Sequence, residues 1–279
     1  MACCLLSLDC RSVRYYFKVR NERNVNMSKG VPQHSTTIHF GFAHFIPYEL
    51  VNSTNIRDIE VQLDRNGIEI TGKNIQPDNN IQLQCKYTAI EKGDTIFTLK
   101  FAKTGEVPGV IHEPICGVAV IIGESGVHRE LGAIYNQCLS AIDQVFPLPM
   151  VVMKKEATIK QLHGIIADRP SFQYLWEEIL KQSEAKIASF GKPVLGGGLR
   201  VVVAPRPIDE LNGEIVSVEY KIESFLQDPR YLYVENVYTW PIPKQYKERN
   251  ELFESTKSSS NFIIEDTQTV VGKFFSGGN

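Results

Sequence analysis

The sequence predicts an α+β fold, mainly antiparallel sheets with packed helices, in two subdomains that each run strands and then helix. Three observations predict it: short runs of alternating apolar residues, helical stripes that follow each group of runs, and a change of pattern around Pro147 and Pro149. The 279 residues, 43% hydrophobic and 22% charged, suit an ordinary globular protein. The expected units are a basic, disordered leader over 1–34, an N-terminal α+β subdomain over 35–150 and a C-terminal α+β subdomain over 151–279.

The leader stands apart by charge. Arg11, Arg14, Lys18, Arg20, Arg23 and Lys29 outnumber Asp9 and Glu22, leaving +4 here and −6 in the remainder of a chain whose net charge is −2. Three readings fit it: a non-native leader before a start at Met27, a disordered arm, or an organellar transit peptide. Cys3 and Cys4 read as incidental rather than acylated.

Residues 36–46, with Ile38, Phe40 and Phe42, are expected to form the first strand and to stop at Pro47. Ile59, Val61 and Leu63 alternate with Glu60, Gln62 and Asp64, and Ile68 and Ile70 resume the alternation after Asn66-Gly67. That dipeptide supplies the two positive-φ positions of a type I′ turn, so this stretch is predicted to be a β-hairpin. The register sets Asp64 against Glu69, which leaves a longer, bulged loop as an alternative. Ile81, Leu83, Cys85 and Tyr87, then Phe97, Leu99 and Phe101, mark two antiparallel strands with one solvated side. The unbroken apolar run 116–122 predicts a central strand buried on both faces. After a glycine-flanked break at 123–126, Val127, Leu131, Ile134, Cys138, Ile142 and Val145 form the stripe of a helix packed on the sheet.

In the second half, Thr158 and Gln161 have capping-box spacing and predict a short helix to about Asp168. Ser171 caps a longer helix carrying Phe172, Leu175, Trp176, Ile179, Ile187 and Phe190. Strands are expected over 199–203, 214–225 and 231–240. The polar stretch 255–260 is expected to break the chain before a short strand at 262–264 and a terminal helix at 267–275. No period of roughly 20 to 50 residues recurs in the letters, which argues against solenoids and propellers.

Composition narrows the function classes. Near-balanced charge gives no global field toward nucleic acid or an anionic membrane, so a nucleic-acid partner is disfavoured. No run approaches the roughly 18 to 20 apolar residues of a membrane span, and no membrane association is expected. The cysteines at 3, 4, 10, 85, 116 and 138 contain no Cys-x-x-Cys pair and do not resemble a disulfide framework, which suits a reducing, cytoplasmic setting.

Chemistry-bearing candidates are few. The strand, turn and helix start around Gly123, Ser125, Gly126 and His128 offers backbone N–H groups to an anion, although it matches no phosphate-loop, dinucleotide or hydrolase-elbow pattern, and Glu124 would repel one. His39, His44, His112, His128, Cys85 and Cys116 lack close ligand pairs, so no metal is expected. The acid pairs Glu177/Glu178, Asp209/Glu210 and Glu265/Asp266 read as solvated faces. No catalytic residue and no cofactor is assigned. The aromatic crowd over 220–246 is the remaining signal: Tyr231, Tyr233, Tyr238 and Trp240, interleaved with basic residues, have the composition of an interface. Alternation puts Tyr231 and Tyr233 on one strand face. The expectation is a non-enzymatic protein-binding or assembly module, self-association being its simplest version. The alternative is an enzyme or small-ligand binder using the turn that begins at Gly123.

Overall fold

The computed structural model describes residues 35–275 apart from 48–49, 77–79, 90–92, 105–114, 124–129, 149, 165–170, 183–185, 187–193, 195 and 229. The expected leader over 1–34 lies outside the described residues, as do Ser125, Gly126 and His128. In chain order the elements are β1 (Ser35–Pro47), α1 (Ser53–Arg65), β2 (Ile68–Ile75), β3 (Ile81–Ala89), β4 (Gly93–Thr104), β5 (Ile115–Gly123), α2 (Leu131–Val145) and β6 (Val151–Gly164). There follow α3 (Ser171–Tyr174, continued by a π-turn at Leu175–Ile179), β7 (Gly198–Ile208), β8 (Glu214–Ser224), β9 (Tyr231–Trp240), β10 (Lys244–Gln245) and α4 (Arg249–Phe275).

The α+β class is what the chain adopts, with its strands joined in one antiparallel sheet of order β2-β3-β4-β5-β1-β6-β9-β8-β7 and β10 added beside β6. The order of elements occurs twice, from Ser35 and from Val151: a strand, a helix, a meander of strands, a helix. The sheet mirrors that repetition about the central β1/β6 pair, where Ile38 stands opposite Ile159 and Phe40 opposite Ala157. Residue 150, the expected subdomain boundary, falls between α2 and β6, yet the sheet and the main hydrophobic core run across it.

Strand alternation sorts the sheet into two faces. On one, Leu83, Leu99, Val120, Phe40, Ala157, Tyr238 and Val218 are buried in a single core. The helices lie on that side. Ile56, Ile59 and Leu63 of α1 and Leu131, Ile134, Tyr135, Cys138 and Ile142 of α2 complete the core, and the Tyr135 ring meets Phe40 edge-on at 5.1 Å. Leu175 of the α3 turn packs on Ile222, Leu232 and Val234. Burial pushes the Cys85 thiol up to about 12 and Cys138 well above its ordinary value, so both stay protonated, inert hydrophobes.

Three local expectations are corrected. The predicted hairpin strand carrying Ile59, Val61 and Leu63 is α1. Ile56, Ile59 and Leu63 satisfy helical spacing, whereas Val61, which strand alternation would have buried, is 46% exposed. Asn52 caps the helix by accepting from the N–H groups of Thr54 and Asn55, and Asn66-Gly67 ends it, with Gly67 at φ +77°. Thr158 and Gln161 form no capping box, because they lie in β6 between β1 and β9. Lys, Glu, Ala and Gln give that stretch helical propensity, and two flanking strands override it. The third correction concerns 255–264, where no break and no strand occur: α4 runs through it, burying Leu252, Thr256, Ser259, Ser260, Ile263 and Ile264. Small polar residues let α4 approach α2 closely. A Cβ on Gly132 would stand 2.5 Å from Ser260 Oγ and 3.1 Å from Lys257 Cα. The Thr256 and Ser260 hydroxyls donate to Leu252 O and Lys257 O of their own helix.

Candidate functional site

With the described helices on one face, the other face of the sheet carries mainly polar and charged side chains. Its nine-strand span is roughly 40 Å at the usual interstrand spacing. Across β6, β9 and β8 the register sets Lys160, Glu235 and Lys221 side by side, and one row away Leu162, Tyr233 and Glu223. Cross-strand ion pairs follow, Lys160 Nζ to Glu235 Oε1 at 3.3 Å and Arg200 Nε to Glu219 Oε1 at 2.6 Å, and along β8 Lys221 Nζ lies 2.9 Å from Glu223 Oε2. Charge on this half of the face is therefore largely neutralised from within, which fits poorly with a polyanion track.

Tyr231 and Tyr233 lie on this face, opposite the described helices, both half-buried. Lys221 Nζ stands 5.7 Å from the Tyr233 ring centroid and the Arg230 guanidinium 5.9 Å from that of Tyr231, so a cation braces each ring. Arg230 is itself fixed by Asp228 through contacts of 3.0 Å and 2.6 Å, which hold the Asp228 carboxyl below its usual range. Half-buried Leu162 stands opposite Tyr233 across the β6–β9 pairing. The result is an aromatic and aliphatic patch inside a rim of alternating charge.

Tyr238 and Trp240 do not belong to it. They occupy the opposite face, 0% and 2% exposed, so these two of the four expected interface residues belong to the core instead. Tyr238 OH donates to Asp266 Oδ2 at 2.9 Å and lies 2.8 Å from Thr267 Oγ1, Tyr220 OH donates to the same carboxylate at 2.7 Å, and Asn236 Nδ2 donates to Thr267 Oγ1. Burial and the Asp266 charge push both phenols above their ordinary range. This network docks α4 on β8 and β9.

The second concentration of chemistry is interior. Lys155 Nζ lies 2.6 Å from Glu214 Oε2 and 2.6 Å from Ser255 Oγ, Lys244 meets the other Glu214 oxygen, and Tyr246 OH is 2.9 Å from Ser255 Oγ. Burial lowers Lys155 to about 8 although Glu214 opposes the shift. Glu214 shows the reverse balance: burial raises it, and the two lysines hold it below its ordinary value. A lysine beside a serine invites comparison with an activated nucleophile. Here the hydroxyl hydrogen goes to Glu214, Lys155 and Tyr246 occupy the oxygen's lone pairs, and the Lys155 side chain is 3% exposed. The group acts as a latch joining β6, β8, β10 and α4. Its members are scattered over a hundred residues, and no spacing in the sequence announces them.

A third feature lies between the end of α1 and α2, a polar cleft of about 230 Å³ lined by Asn66, Asn136, Gln137 and Ser140. Asn66 Nδ2, Asn136 Oδ1 and Gln137 Oε1 are buried there without a protein partner. Of the expected anion-binding turn, only Gly123 is described, as the last residue of β5 opposite Thr37. Among the described residues no group of three or more His, Cys, Asp or Glu side chains converges to hold a metal ion, and no helix is long and apolar enough to cross a membrane. No protein-family model matches the chain, and no curated protein sequence matches it.

Proposed function

We propose that this chain is a non-enzymatic binding module that engages a protein partner through the sheet face opposite the described helices, with Tyr231 and Tyr233 as its anchors. The supporting observation is the patch itself: two cation-braced tyrosines with Leu162 beside Tyr233, and with Arg230, Lys221 and Glu235 at the edge. An apolar, aromatic centre within a charged rim is the anatomy of protein interfaces, and rings already held in place cost less entropy to bind. Lys160–Glu235 and Arg200–Glu219 pairing argues against nucleic acid as the occupant.

The test is the double variant Tyr231→Ser with Tyr233→Ser. Its thermal midpoint is expected to change little, while association with the partner recovered from the native host weakens by more than roughly 2 kcal/mol. A destabilised variant with unchanged association would sink the reading, because it would place both rings in the folding core.

A further inference from the structure

We infer that the outer edge of β7 is a self-pairing strand, where a second copy of this chain adds its own β7 antiparallel across a two-fold axis. This contact is separate from the tyrosine patch and goes beyond the function proposed above. The mirrored sheet carries it. From the centre outward, β1 corresponds to β6, β5 to β9, β4 to β8 and β3 to β7, and β2 then closes the first half. Among the described residues nothing stands beside β7 where β2 stands beside β3. Among the described residues the outer hydrogen-bonding groups of β7 have no partner strand and no other bonded group.

The two sheet edges differ in chemistry. The β2 edge is mostly polar, with Glu69, Thr71, Lys73 and Asn74 exposed, one exposed isoleucine at its end, Ile75, and Lys73 tied to Glu60 at 2.7 Å, a guard against edge-to-edge pairing. The β7 edge reads Gly198-Leu-Arg-Val-Val-Val-Ala204, with Val201 39% and Val202 63% exposed on opposite faces of the strand. Pro205 and Pro207 lack an N–H and end the pairable length beyond Ala204. A strand with bare valines on both faces and an open backbone edge matches a partner strand of the same composition.

Self-complementarity selects a second copy as that partner. In an antiparallel pairing centred on Val202, Val201 meets Val203 and Arg200 meets Ala204, so no like charges stand opposite each other. Arg200 is already neutralised sideways by Glu219, at 2.6 and 2.7 Å. Antiparallel addition to β7 also reproduces the direction in which β2 runs beside β3. A two-fold axis makes the contact closed, giving a dimer rather than a filament.

The experiment is sedimentation of the full chain over a micromolar concentration series, with Val202→Lys, with Val202→Glu, and with an equal mixture of the two. Wild type is expected to dimerise. Each variant alone is expected to be at least about tenfold weaker, because the introduced charge faces its own copy across the axis, and the mixture is expected to restore the dimer through opposite charges. Wild type that stays monomeric throughout overturns the inference, as does a dimer indifferent to both variants and to their mixture. A dimer lost only in the Tyr231/Tyr233 double variant also overturns it, while supporting the patch as the contact. Should the charged variants fail to fold, amide exchange of wild-type residues 198–204 decides. Slowing that grows with concentration supports the pairing, and its absence refutes it.

Discussion

Lys155 and Glu214 show how a charge survives in a protein interior. Each is nearly or largely buried, and each is held charged by the other, with Lys244 and Ser255 completing the hydrogen bonds. Glu214→Ala is expected to cost roughly 3–5 kcal/mol at neutral pH, since it strands the Lys155 ammonium. Lys155→Met is expected to cost much less, because Lys244 still neutralises Glu214. The pH dependence has a definite sign. Lys155 titrates near 8 when folded against an ordinary 10.5, so between those values the unfolded chain binds more protons and this group favours folding as pH rises. Glu214, held below its ordinary 4.5, contributes stability above that value that is lost on acidification. Urea denaturation at pH 7 and pH 10 should therefore show the Glu214→Ala deficit shrinking at the higher pH. A deficit that stays constant would mean that the lysine charge is not what the carboxylate compensates. Neither residue could be singled out beforehand, because a lone Lys and a lone Glu look like surface charges until the strands that bury them are placed.

At the scale of elements, α1 and α4 show how helix and strand periods compete. Ile59, Val61 and Leu63 fit alternation, and Ile56, Ile59 and Leu63 fit a helix equally well. Over so few residues the pattern is ambiguous, and only burial by α2 and the sheet separates the two. The distinction is measurable. Ile59→Ala is expected to cost about 2–5 kcal/mol, whereas Val61→Ala should stay within about 0.5 kcal/mol. Comparable losses at both positions would indicate a strand buried on one face. In α4 the serines concealed a buried stripe, since hydroxyls that bond back to their own helix count as polar in a sequence but as small, satisfied spacers in a helix crossing. Gly132→Ala is expected to destabilise by roughly 1–3 kcal/mol in denaturant melts, because the clash with α4 outweighs the better helix propensity. A stabilised variant would show that the α2–α4 crossing is looser than described.

At the scale of the molecule, the halves beginning at Ser35 and Val151 share one sheet and one core. The β1/β6 pairing lies at its centre, and Phe40 and Val120 belong to the same core cluster as Tyr238 and Val218. Heating is accordingly expected to give one transition, with far-ultraviolet dichroism and tryptophan fluorescence coinciding. Two separated transitions would show that the halves fold independently. By itself the sequence determined the α+β class, the strands β3, β4, β8 and β9, the helix α2, and the split of Tyr231 and Tyr233 from the opposite strand face, because each is written in a local period long enough to be unambiguous. Tertiary structure decided the rest. It chose helix over strand for α1 and strand over helix for β6, where local preference was weak or opposed. It also buried Tyr238 and Trp240 in the core and left the outer edge of β7 without a partner strand among the described residues. Pairing partners, burial and edges arise between segments far apart in the chain, and no local pattern of residues encodes them.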